Sequence, residues 1–111
     1  MINVNVIKEK QTIKTIEATG HSGYAEEGND IVCSAISTLM ETLANGLTEV
    51  VKAKVDVIVD EKIPHLSVTL KETDIEKCKQ SQVLMQSTLL GIKGVAQEFS
   101  KFIKIKEKQN D

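Results

Sequence analysis

The sequence has no tryptophan, one tyrosine, two phenylalanines and a single proline, so aliphatic side chains rather than aromatic ones must carry its core. It also has no arginine: all 14 basic residues are lysine, against 16 acidic residues, for a formal net charge of -2. Attraction to a polyanion needs a clustered basic excess. The densest cluster, Lys101, Lys104, Lys106 and Lys108, has no stacking aromatics beside it and reads as a solvated strand edge, not a nucleic-acid surface. No apolar run approaches a membrane span. The start, MINVNVIKEK, alternates apolar and polar residues and lacks the charged head, long apolar stretch and small-residue cleavage site of a signal peptide. A cytoplasmic protein without a membrane partner is expected, with Cys33 and Cys78 as free thiols. Closely paired ligands such as C-x-x-C or H-x-x-x-H are missing, which argues against a metal centre formed by His21, Cys33, His65 and Cys78. No cofactor is expected.

Pro-rich and Gly/Ser-rich linkers are absent too, as are internal repeats, so residues 1-111 read as one domain. Ile2, Val4 and Val6 alternate with Asn3 and Asn5, the period of a half-buried strand. A short connection over Glu9 to Gln11 leads to a second strand near Thr12 to Ala18. From Ile31 the period becomes helical: Val32, Ala35, Ile36, Leu39, Leu43, Leu47 and Val50 fall three or four apart and predict one apolar stripe, weakened at Gly46 and ending near Lys52. Val55, Val57 and Val59, then Leu66, Val68 and Leu70 beyond Pro64, predict a second hairpin with one apolar face. Thr73 with Glu76 offers a capping box for a second helix. Its core stripe is Ile75, Cys78, Gln82, Met85, Leu89, Ile92, Ala96 and Phe99. A last strand over Phe102 to Lys106 would complete the order ββαββα(β). Hairpins separated by helices make this an α+β domain with an antiparallel or mixed sheet.

The chemistry concentrates between Ala18 and Ser37. Gly20, Gly23 and Gly28 punctuate a loop that also holds Tyr24, Glu26, Glu27, Asn29 and Asp30. This connection is long for a compact domain, and its lack of apolar anchors suggests mobility. The two glutamates read as solvated charge. Asp30 is a natural N-cap for the first helix, which places Cys33 in the first helical turn, where unpaired amides and the helix dipole favour an anion. An unperturbed cysteine is only about 3 % thiolate at pH 7, so either that environment or proton transfer to His21 is needed to activate it. Backbone amides at Cys33 or just after it are candidates for an oxyanion hole. A triad in which Asp30 orients His21 remains open beside the capping role, although one carboxylate cannot easily do both. Ser37, one turn beyond Cys33, could line such a site. Cys78, inside its apolar stripe, reads as packing, and His65 as a polar turn residue.

These residues resemble the bacterial ribosomal-processing cysteine protease family, Prp. The resemblance rests on Gly20-His21, the glycine-containing loop, Asp30-Ile31-Val32-Cys33, the small residues that follow and Ser37, together with chain length and element order. It implies a small cytoplasmic endopeptidase and homodimer with a Cys-His dyad. The substrate it implies is the N-terminal extension of the twenty-seventh protein of the large ribosomal subunit, removed beside a pair of aromatic residues. Carried over, His21 is the general base and Cys33 the nucleophile; Asp30 and Ser37 stand as supporting residues on their position alone. A substrate loop over residues 22 to 29, including Ser22, Gly23, Tyr24 and Gly28 and preceded by Gly20, would close over the peptide. Ser22 stands where many relatives carry a small apolar residue, a departure that touches loop packing and leaves the dyad intact.

Two other classes compete. A ribosome-assembly module that binds a ribosomal protein tail without cutting it would need the sheet and loop but has no use for a thiol at a helix start. A redox-sensing protein would need Cys78 close enough to Cys33 to resolve an oxidised intermediate.

Overall fold

Branched residues at alternate positions meet a core on only one side of an extended chain. A computed structural model, which describes residues 1–26, 29–62 and 64–110, is built on that alternation. β1 (Ile2–Glu9) buries Ile2, Val4 and Val6. β2 (Thr12–Thr19) returns antiparallel to it through a turn in which Lys10 has a φ of 59°. The pairing shifts register between Ile7 and Lys8. There the Ile13 backbone is satisfied by a side chain: its N–H donates to Gln82 Oε1 at 2.9 Å and its carbonyl accepts from Gln82 Nε2 at 2.8 Å. That pairing explains a glutamine within an otherwise apolar stripe.

The chain continues through α1 (Ile31–Asn45), a π-helical extension over Gly46–Val51, β3 (Val55–Asp60), β4 (His65–Leu70), α2 (Ile75–Glu98) and β5 (Ile103–Gln109). The strands lie in the order β3-β4-β2-β1-β5, with β5 parallel to β1 and the other pairs antiparallel. The domain is therefore α+β with a mixed sheet in the order ββαββαβ. One face of the sheet joins Val32, Ile36, Met40 and Leu43 of α1, Leu47 of its π-helical extension, and Met85, Leu89 and Ile92 of α2 in a single core. Glycines let the two helices approach closely, since a Cβ on Gly46 would lie 3.1 Å from Leu84 and one on Gly91 3.1 Å from Leu39. The opposite face is polar: Glu17 accepts from Asn5 at 3.2 Å and pairs with His65 Nε2 at 2.9 Å. His65 is thus the half-buried first residue of β4, held across the sheet by Glu17.

Several details depart from the sequence reading. The α1 stripe includes Met40, fully buried, and excludes Val50, which is 79 % exposed. The wider turn of the π-helix moves the next core-facing position from Val50 to the half-buried Val51. At α2 the cap is Asp74, whose carboxylate accepts from Lys77 N at 3.0 Å, and not Thr73, whose own amide donates to Glu72. Ile75 lies outside the core at 72 % exposure. β3 is an edge strand beyond the reach of both helices, so Val57 and Val59 lie on the helix side of the sheet but stay exposed. At the other edge, β5 runs to Gln109 rather than stopping at Lys106. Its Lys104, Lys106 and Lys108 point into solvent, blunting that edge against further strand pairing. No helix among the described residues is long and apolar enough to cross a membrane.

Candidate active site

The end of β2, the start of α1 and the start of β4 meet at one end of the sheet. Gly20 closes β2 with a φ of +88°, and a Cβ there would lie 2.6 Å from the Met1 carbonyl oxygen; both observations require glycine. Its amide donates to the Pro64 carbonyl at 2.9 Å, so the chain enters the loop in a fixed direction. Gly23 also takes a positive φ, of 75°. Gly28 and Glu27 lie outside the described residues.

Asp30 caps α1 as its position suggested. Its Oδ1 accepts from Val32 N and Cys33 N, both at 3.0 Å, and its Oδ2 accepts from the Ser22 hydroxyl. Burial alone would push this carboxyl upward. The Ser22 hydroxyl and the Cys33 and Val32 donors outweigh it and hold the group below the usual carboxylate range. All of these bonds face the helix and Ser22; none reaches His21. Asp30 therefore organises the helix start and does not orient the imidazole.

Cys33 is half-buried in the first turn of α1, with its sulfur 3.4 Å from the Ser22 N–H, which donates to it. His21 is exposed, and no hydrogen bond joins its ring to Cys33, although both line the same cleft. Catalytic contacts are often long in an unliganded site and tighten on substrate. The cleft, of about 760 Å³, runs from these two residues between α1 and the β3–β4 turn, over Ala18, Ile36, Met40 and Leu66, to Val59 and Glu61. Ser37 and Glu41 line the α1 wall with Cys33. Their spacing of four puts all three on one helical face, a signal the sequence carries for Glu41 as much as for Ser37.

The loop is better anchored than its composition suggested. Ser22 is buried, at 3 % exposure. Tyr24 meets Phe99 and Phe102 edge-on, with ring centroids 5.6 and 5.3 Å apart. These three rings are all the aromatic residues in the chain, and every one of them is used to hold the loop.

Cys78 is half-buried at the start of α2, away from the apolar core, with its thiol donating to the Glu72 carbonyl at 3.2 Å. It lies beside Thr12 and Leu70, where β2 begins and β4 ends, whereas Cys33 lies where β2 ends and β4 begins. The eight residues of β2 separate them, far beyond the 7 Å or so that a disulfide can span. Iodoacetamide at pH 6 is expected to alkylate Cys33 well ahead of Cys78, as read by peptide mass mapping. Equal rates would argue against a specialised thiol at Cys33.

A thiol in the first turn of a helix, on the wall of a cleft that also carries an imidazole, is the equipment of a cysteine peptidase. The chain belongs to the family described as cysteine protease Prp, whose model matches residues 1–104. It is 21 % identical to the ribosomal processing cysteine protease Prp of Staphylococcus aureus over 109 residues, which are 97 % of this chain and all of that protein. Among solved structures, SMU.848 from Streptococcus mutans matches with a TM-score of 0.86 and 32 % identity, over 99 % of this chain and 96 % of that one. The S. aureus Prp structure with a covalently linked product peptide matches with a TM-score of 0.87 at 21 % identity, over 97 % of this chain and all of that one. The protein is thus a cysteine protease, and the reading as a non-catalytic binding module is set aside.

Proposed function

We propose that this protease removes the N-terminal extension of the twenty-seventh protein of the large ribosomal subunit, with Cys33 as nucleophile and His21 as general base. The observation that carries the chemistry is the cleft shared by Cys33 and His21, which continues over apolar side chains toward the β3–β4 turn and so offers an extended peptide a path past the sulfur. His21 takes the thiol proton as Sγ bonds to the scissile carbonyl carbon. It returns that proton to the amine when the C–N bond breaks, and water then releases the acyl group from sulfur. Ser37 and Glu41 flank the bound chain. Gly23 and Ala25 of the loop border the same cleft and cover the bound chain on its other side. S. aureus Prp structures described with a substrate peptide and with a covalently linked product peptide support a peptide as the occupant. The family likeness further supports a cytoplasmic homodimer that takes a protein tail rather than a nucleic acid or a membrane as its partner.

Intact-mass spectrometry of the extended ribosomal protein, incubated with this chain, tests the reading. One cut that releases the extension is expected, and prior alkylation of the protease should prevent it. An untouched ribosomal protein, or cutting that survives alkylation, would count against the proposal.

A further inference from the structure

Acyl transfer needs hydrogen-bond donors aimed at the oxygen on which negative charge develops. In this site the helix start does not offer them: Val32 N and Cys33 N donate to Asp30 Oδ1 at 3.0 Å, and Ser34 N donates to the Asp30 carbonyl at 3.1 Å. The amide directed at the reacting atom comes from the loop, Ser22 N at 3.4 Å from Cys33 Sγ. We propose that this Ser22 amide is the oxyanion donor, and that the Ser22 hydroxyl is the positioning group that aims it.

The hydroxyl is placed for that task. Ser22 is 3 % exposed, while His21 before it and Gly23, Tyr24, Ala25 and Glu26 after it are all exposed. Its Oγ donates to Asp30 Oδ2 and accepts from Tyr24 N at 3.0 Å, so one side chain ties the loop to the carboxylate that caps the helix bearing Cys33. The nucleophile and the donor thereby take their positions from the same group. Tyr24, set against Phe99 and Phe102, fixes the far side of the turn.

The step balances simply. A sulfur lone pair forms the S–C bond, the carbonyl π pair moves onto oxygen, and that oxygen, one bond from the carbon that sulfur has joined, accepts from the Ser22 N–H. Its collapse restores the C=O bond and expels the amine with the proton held by His21. The amide gives up its bond to sulfur as it gains the stronger one to an anion.

The inference rests on Cys33 being the nucleophile, and the test separates the two. In Ser22→Ala, kcat on the extension peptide is expected to fall by roughly 30- to 100-fold with KM within about threefold. Alkylation of Cys33 by iodoacetamide, a displacement that develops no oxyanion, should change by less than about threefold, and Ser22→Thr should recover most of the lost kcat. An unchanged kcat in Ser22→Ala, an alkylation rate that falls in step with kcat, or a threonine variant no better than alanine would overturn the assignment. A crystal structure of the unsubstituted chain with a peptide aldehyde on Cys33 decides the matter without any variant. The adduct oxygen is expected about 3 Å from Ser22 N, and an oxygen turned instead to the amides of Cys33 or Ser34 would refute the proposal. Failure of the nucleophile assignment looks different, as continued cleavage by Cys33→Ala.

Discussion

Cleavage of the extension peptide by Cys33→Ala is expected to fall by at least about 10⁴-fold, with His21→Ala falling by a comparable factor and the double variant no lower than the worse single one. In the proposed mechanism nucleophile and base act as a unit. Once either is gone the other has nothing to do, and what remains is the contribution of binding and of any oxyanion donor. The His21 ring is exposed and bonded to neither Cys33 nor Asp30, so its loss should leave the urea midpoint nearly unchanged while activity collapses. Cys33 packs against the core edge, and alanine there should cost no more than about 1 kcal/mol for the lost sulfur contacts. Losses that multiply in the double variant would mean that the two residues act independently, and a competent Cys33→Ala would remove the nucleophile. Steady-state kinetics on all three chains settles both points.

Asp30→Ala should lower stability by about 2–3 kcal/mol, from the lost cap on α1 and from the Ser22 hydroxyl left buried without its acceptor. The pH dependence has a definite sign. Burial raises the Asp30 carboxyl, but its bonds to Ser22, Cys33 and Val32 win and leave it below the ordinary range in the folded chain. Its contribution is therefore complete above the unfolded value near pH 4 and lost as pH falls through the lower folded value. Between pH 5 and 2 the urea midpoint of the parent chain should fall further than that of Asp30→Asn. The latter still carries Glu72, lowered by the Asp74 and Lys54 amides, and Glu107, lowered by Lys8. Parallel midpoint curves for the two chains would show that the Asp30 charge contributes nothing.

Much of this was legible from period and capping chemistry. The alternation in β1 and β4, the four-three spacing through Val32, Ile36 and Leu43, and Asp30 ahead of Cys33 each have one economical structural solution, and the chain adopts it. What escaped depends on long-range geometry. The π-turn begins at Gly46, where the chain packs close to Leu84, and no local pattern announces it. Val57 and Val59 read as core because alternation reports a face but not whether a helix covers it. Cys78 fell on the stripe by count, but lies at the mouth of α2 before the helix reaches the core. Ser22 was the least readable, because burial of a hydroxyl within a polar loop is decided by a carboxylate eight residues on that sequence alone assigns to the helix.

The aromatic anchor of the loop carries a consequence for the order of events during synthesis. Ser22, Asp30 and Cys33 lie close in sequence and can find one another as soon as they leave the ribosome, since closing a short loop is fast. Phe99 and Phe102 follow some seventy-five residues after Tyr24, and at ordinary elongation rates of about 5–20 residues per second that is a delay of several seconds. A nascent chain thus holds its thiol and imidazole well before it holds the rings that seat the loop, and a fixed catalytic geometry arrives only with the C-terminal helix and last strand.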